Sequence, residues 1–158
     1  MFGNVSAPKE VNQSFGNKTP KKLYTNPKTN QLSSKGEAFQ AFNDFKSESY
    51  NKVYSHELAH QQAGGSQAGS INIKYDSNGI AIGGHVNIQV PNGVNKALPE
   101  QTLKEAEIAY NAATAPGDLS AADNAIASMA QSIMGEAMQV QNSKNDKESK
   151  GQRLNVMG

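Results

Sequence analysis

The chain has 158 residues and contains neither cysteine nor tryptophan. The first absence excludes a disulfide framework and any thiolate metal site. It says nothing about compartment, because a cysteine-free chain folds in oxidising and reducing surroundings alike. Aromatic residues make up only 6% and hydrophobic residues 36%, so the core is expected to be modest and to serve one domain. No apolar run approaches the roughly 18 residues of a membrane span, and the first residues, MFGNVSAPKE, lack a basic-then-apolar leader. A cytoplasmic location is the default expectation, with non-classical export left open. The net charge of +1 is too balanced to advertise nucleic acid or a membrane surface as a partner.

Against this sparse background the three histidines stand out. His56-Glu57-Leu58-Ala59-His60 sets two of them four apart with a glutamate between. On a helix, i and i+4 share one face about one turn apart, so both imidazoles can close on one metal ion. Glu57 is then placed as a carboxylate base for an attacking water. The context is helical: from Glu37 to Gln62 there is no proline, and Phe39, Phe42, Phe45, Tyr50, Val53, Tyr54 and Leu58 recur near helical spacing. Ala63-Gly64-Gly65 supplies a stop. With cysteine absent, the ligands must be His, Asp or Glu. His85, the last histidine, is the expected third ligand of one zinc ion per chain.

The surroundings of His85 read as a hairpin. Ile71, Ile73 and Tyr75 alternate with polar residues, Asp76-Ser77-Asn78-Gly79 is a turn, and Ile80, Ile82, Val86, Ile88 and Val90 alternate again. His85 falls on the face of small and polar residues, beside Gly83-Gly84. If it is not the ligand, a carboxylate on the helix after Pro99 must be, with Glu100, Glu105 and Glu107 as rivals. A third helix begins at Ser120, with Asp123 at the capping-box position. Ile126, Met129, Ala130, Ile133, Met134, Ala137 and Val140 form its apolar stripe. Capping alone accounts for Asp123; the alternative is an outer role, accepting a ligand histidine's second N–H. Tyr75 and Tyr110 are candidates to stabilise an oxyanion.

Three segments follow. Residues 1–35 are a basic arm rich in Asn, Lys, Ser and Pro, expected to be disordered. Its lysines, less Glu10, give residues 1–36 a net +5, so the rest of the chain carries −4. The arm is expected to be a solvated tail, a docking tail or a segment that inhibits the site. Residues 36–141 form the domain, and 142–158 a flexible polar tail. The fold class expected is α+β: an active-site helix, a β-hairpin and two further helices.

From Tyr54 to Ala130 the chain resembles the SprA-related family of bacteria. The resemblance rests on His56-Glu57-Leu58-Ala59-His60 followed by Ala63-Gly64-Gly65, Tyr75 before the turn, and Gly83-Gly84-His85-Val86 at the hairpin's close. Pro99-Glu100-Gln101-Thr102, Ala112-Ala113-Thr114-Ala115-Pro116 and Leu119-Ser120-Ala121-Ala122-Asp123 continue it in order. His85 stands where the family favours glutamate, an exchange that suits a metal ligand, and Leu119 replaces a proline. The resemblance implies a zincin-like metalloprotease. Together with the motif it leads to the expectation of a zinc-dependent metallopeptidase acting on a peptide or protein substrate. The alternative is a non-catalytic zinc-binding or protein-interaction module.

Overall fold

Seven buried positions on the first helix follow the helical period: Ala38, Phe42, Ser49, Val53, Glu57, His60 and Gly64. That helix, α1 (Lys35–Gly64), carries polar groups on its buried stripe and leaves Phe39, Tyr50 and Tyr54 exposed. Its start is fixed by a capping box: the Glu37 N–H donates to Ser34 Oγ at 3.3 Å, and the Ser34 N–H to Glu37 Oε2 at 3.1 Å. In the computed structural model residues 5–13 and 21–155 are described. Before α1 come β1 (Glu10–Gln13), β2 (Lys21–Thr25) and β3 (Leu32–Ser33). After it come a 3₁₀ turn (Gly65–Gln67), β4 (Ala68–Tyr75), β5 (Ala81–Ile88), α2 (Pro99–Thr114) and α3 (Ala121–Asn155). The class is α+β, as expected. No helix among the described residues is long and apolar enough to cross a membrane.

The chain divides into two compact units, Met1–Ser55 with Asn72–His85, and His56–Ile71 with Val86–Gly158. In the first, β1, β2 and β3 make an antiparallel sheet in that order, with Glu10 opposite Tyr24 and Tyr24 opposite Ser33. Part of the N-terminal arm thus carries paired strands; residues 1–4 and 14–20 lie outside the description. The reason is pairing that composition does not display. Tyr24 donates its hydroxyl to Glu10 at 3.0 Å, its ring meets Phe39 of α1 edge-on at 6.0 Å, and Lys28 reaches Glu48 at 2.6 Å.

The hairpin turn also differs from the simplest expectation. Gly79 has φ +73°, while Asn78 does not adopt a positive φ, so the two-residue primed turn favoured by Asn-Gly is not used. Instead the Gly79 N–H donates to the Asp76 carbonyl at 3.1 Å and Asp76 N–H to the Ile80 carbonyl at 2.9 Å. That is a longer loop with the left-handed residue last. Asp76 Oδ1 accepts from the Ile80 and Asn78 backbone N–H groups, each at 2.9 Å. The Ile80 bond is the main reason its carboxyl sits below the ordinary range, with Asn78 and Lys46 adding to it against the opposing effect of burial. A depressed carboxylate pKa stabilises the fold above the unfolded value, and that contribution is lost as pH falls through the folded value. The advantage of wild type over Asp76→Ala in urea melts should therefore hold at neutral pH and shrink below about pH 4. An advantage that stayed constant down to pH 2 would contradict this.

The second unit holds the last two turns of α1, the base of the hairpin, α2 and α3. Pro99 opens α2 at its first turn, where its missing N–H costs nothing. Ala109, Ala112 and Ala113 of α2 pack with Ala127 and Ala130 of α3 and Ile88 of β5, flanked by Val90, Tyr110 and Ile126. Alanines let the helices approach closely, which is how a chain poor in large apolar residues closes a core. The helical phase of the expected α3 stripe holds except at Met129, which is exposed. α3 continues through residues 142–155, a stretch without proline; residues 156–158 lie outside the description.

Gly64 closes α1 at ordinary helical angles, φ −80° and ψ −21°, so space rather than conformational freedom demands a glycine. A Cβ there would lie 2.7 Å from the Ala68 Cβ and 3.2 Å from the Ala112 Cβ. Gly64→Ala should therefore cost about 1–3 kcal/mol of stability as α2 is pushed away. An unchanged thermal melt would refute that account of the contact. Gly65, at φ +51°, then takes the chain out of the helix.

Candidate metal centre

All of the groups that meet at this centre belong to the second unit. The end of α1 supplies His56 and His60, one turn apart, with ring centroids 4.9 Å apart. The end of α2 supplies the Ala112 carbonyl, the segment between α2 and α3 supplies Asp118, and the first turn of α3 supplies Asp123.

The hydrogen bonds assign the ring tautomers. His60 Nδ1 lies 2.8 Å from the Ala112 carbonyl oxygen. A carbonyl can only accept, so Nδ1 carries the proton and a neutral His60 presents a bare Nε2. His56 Nδ1 lies 3.2 Å from Asp118 Oδ1, a carboxylate that likewise accepts, so in its neutral form that ring also turns its lone pair inward at Nε2. Those two nitrogens are 3.3 Å apart. Asp123 closes the group, with Oδ1 3.4 Å from His60 Nε2 and Oδ2 3.9 Å from His56 Nε2. Two lone pairs and an anionic oxygen thus converge in a pocket where His60 is 2% exposed and the Asp123 side chain 13%. A proton or a metal cation between them offsets their mutual repulsion.

Those separations fit a particular kind of cation. Zinc–nitrogen bonds of about 2.0–2.1 Å at a tetrahedral angle set neighbouring ligand atoms about 3.3 Å apart. The nitrogen pair and the His60–Asp123 pair already stand at that spacing. His56, His60 and Asp123 form a group close enough to hold a metal ion, with one donor atom from each within 4.8 Å of the others. Three protein donors would leave a fourth position free on a four-coordinate ion.

Asp123 is held for this task by its place in the helix. The Ser120 N–H donates to its Oδ2 at 2.8 Å, and its own N–H donates to Ser120 Oγ at 3.2 Å. The capping box expected at this position is present, and the same carboxylate also faces the imidazoles. The outer roles fall elsewhere, to the Ala112 carbonyl and Asp118. Neither was visible in the sequence: a backbone carbonyl carries no residue signal, and Asp118 sits in an irregular segment with no spacing to mark it. Glu57 lies on the buried stripe of α1 and is 4% exposed.

The remaining candidates are not members of this group. His85 is an exposed residue of β5 in the other unit and is not among the donors gathered by the two histidines of α1. Glu100 accepts from Gln141 Nε2 at 2.8 Å, Glu105 accepts from Gln101 Nε2 at 2.9 Å, and Glu107 is exposed. Tyr75 is exposed on the hairpin, and Tyr110 packs against the core.

Fold and site together define an α+β protein with a His₂Asp group close enough to hold a metal ion, two of its members on a His-Glu-x-x-His helix. The sequence profile of the SprA-related family matches residues 25–150, and the chain belongs to that family. No curated protein and no solved structure matches it.

Proposed function

We propose that the protein is a zinc-dependent metallopeptidase, with His56, His60 and Asp123 holding the ion and Glu57 as its general base. The observation that carries this reading is the convergence of the two histidine Nε2 atoms of α1, the helix that also bears Glu57, with the Asp123 carboxylate of α3. Zinc held there supplies Lewis acidity toward water and toward a substrate carbonyl. The other steps belong to the chain. Glu57 accepts the proton of the water that attacks the scissile carbonyl and returns it to the departing amine. His60 Nδ1–H and His56 Nδ1–H, donated to Ala112 and Asp118, keep the lone pairs of both rings aimed inward.

The chemistry requires one zinc per chain, and it requires the zinc for hydrolysis. Purified protein should carry about one equivalent, lose peptide hydrolysis on chelation, and regain it when zinc is restored. A small core of this kind should also melt at a lower temperature without the ion. A chain that binds zinc stoichiometrically yet cleaves no unfolded protein or peptide in a broad panel would favour the alternative, a zinc-binding interaction module.

A further inference from the structure

The two ligand histidines are held very differently. His60 is 2% exposed and its outer nitrogen donates to a main-chain carbonyl, a partner fixed by the hydrogen bonds of α2 and by alanine packing. The His56 side chain is 21% exposed, and the partner of its outer nitrogen is the Asp118 carboxylate, on a side chain that is 82% exposed. Asp118 sits between Gly117 and Leu119, outside both helices. One ligand is thus anchored by the core and the other by a solvent-facing side chain.

Resting on the metal reading above, we infer that Asp118 is the positioning residue that sets how fast the site gains and loses its ion. Its carboxylate holds the proton on His56 Nδ1, which keeps Nε2 bare, and fixes the ring about its Cβ–Cγ bond. Without it, the His56 imidazole turns freely or takes the other tautomer, in which Nε2 bears a proton and cannot ligate. His60 has no such freedom. The ion therefore leaves, and enters, by release of His56 first, with His60 and Asp123 as the retained pair. Asp118 acts through His56 and is no ligand itself, since it meets the ring on the nitrogen facing away from the site.

The test follows zinc transfer from the loaded full-length chain to excess chromophoric chelator, for wild type, Asp118→Asn and Asp118→Ala. Outer partners of ligand histidines are worth about ten- to hundredfold in metal affinity, so Asp118→Ala should release zinc faster by that factor. Asp118→Asn, which keeps a neutral acceptor, should fall between. Imidazole ¹⁵N shifts should report His56 with Nδ1–H in the loaded wild type and a mixed state in metal-free Asp118→Ala, with His60 unchanged. Metal-free melting temperatures should agree, because so exposed a side chain contributes little to the fold. Equal release rates and an unchanged His56 tautomer in Asp118→Ala would overturn the role of Asp118 alone. A wild-type chain that takes up no zinc would overturn this inference and the metal reading together.

Discussion

Glu57→Gln is expected to lose peptide hydrolysis by about 10²–10⁴-fold, the usual worth of a positioned general base, while zinc content stays at the wild-type value. The amide matches the carboxylate in size, so the buried position on α1 remains filled, but it cannot accept the proton of the attacking water. The paired measurement, turnover beside metal per chain, separates two causes of inactivity. Loss of both would mean that Glu57 supports the site's structure. Full activity in the variant would dispose of Glu57 as the base, and with it the His-Glu-x-x-His mechanism. Because Glu57 is 4% exposed, the comparison should include a thermal melt showing that the variant is folded.

The second large effect concerns the third ligand, where sequence and structure point to different residues. Asp123→Asn should lose most of its zinc, by more than the ten- to hundredfold that outer partners contribute, whereas His85→Ala should keep a full equivalent. Asparagine is the informative replacement, because its side-chain oxygen can still accept the Ser120 N–H that starts α3. An alanine would remove the helix cap as well, at about 1 kcal/mol. The reverse outcome, zinc retained in Asp123→Asn and lost in His85→Ala, would restore the three-histidine site and reject the His₂Asp group.

Much of this protein was legible along the chain because the relevant physics is local. The helical period of residues 37–62, the glycines after it, the alternating hairpin strands and the Ser120–Asp123 capping box all depend on residues within about four positions of one another. The i, i+4 placement of His56 and His60 is likewise a property of one helix. The N-terminal sheet was not legible. Its strands are short and polar, and what orders them is cross-strand pairing and the Tyr24–Phe39 contact between residues far apart in sequence. The exposure of Tyr50, Tyr54 and Met129 beside buried Ser49 and Glu57 was hidden for the same reason: periodicity gives the existence of a stripe, while packing chooses its phase.

The third metal donor shows the division most sharply. Elimination among the histidines led to His85, since imidazole and zinc are chemically matched and no geometry was available. For Asp123 the sequence offers a cap or an outer role behind a ligand histidine, not a place among the ligands. The side chain performs both tasks because a capping carboxylate has two oxygens and is held rigidly at the helix start. The sequence by itself determined the two-histidine face, the glutamate between them, the α+β class and the family. Only the tertiary structure decided which carboxylate meets those histidines, which groups hold their outer nitrogens, and that one of them is fixed by the core and the other by the exposed Asp118. Those choices turn on how the alanine faces of α2 and α3 bring residues some sixty positions apart within hydrogen-bond distance, and no spacing along the chain encodes that.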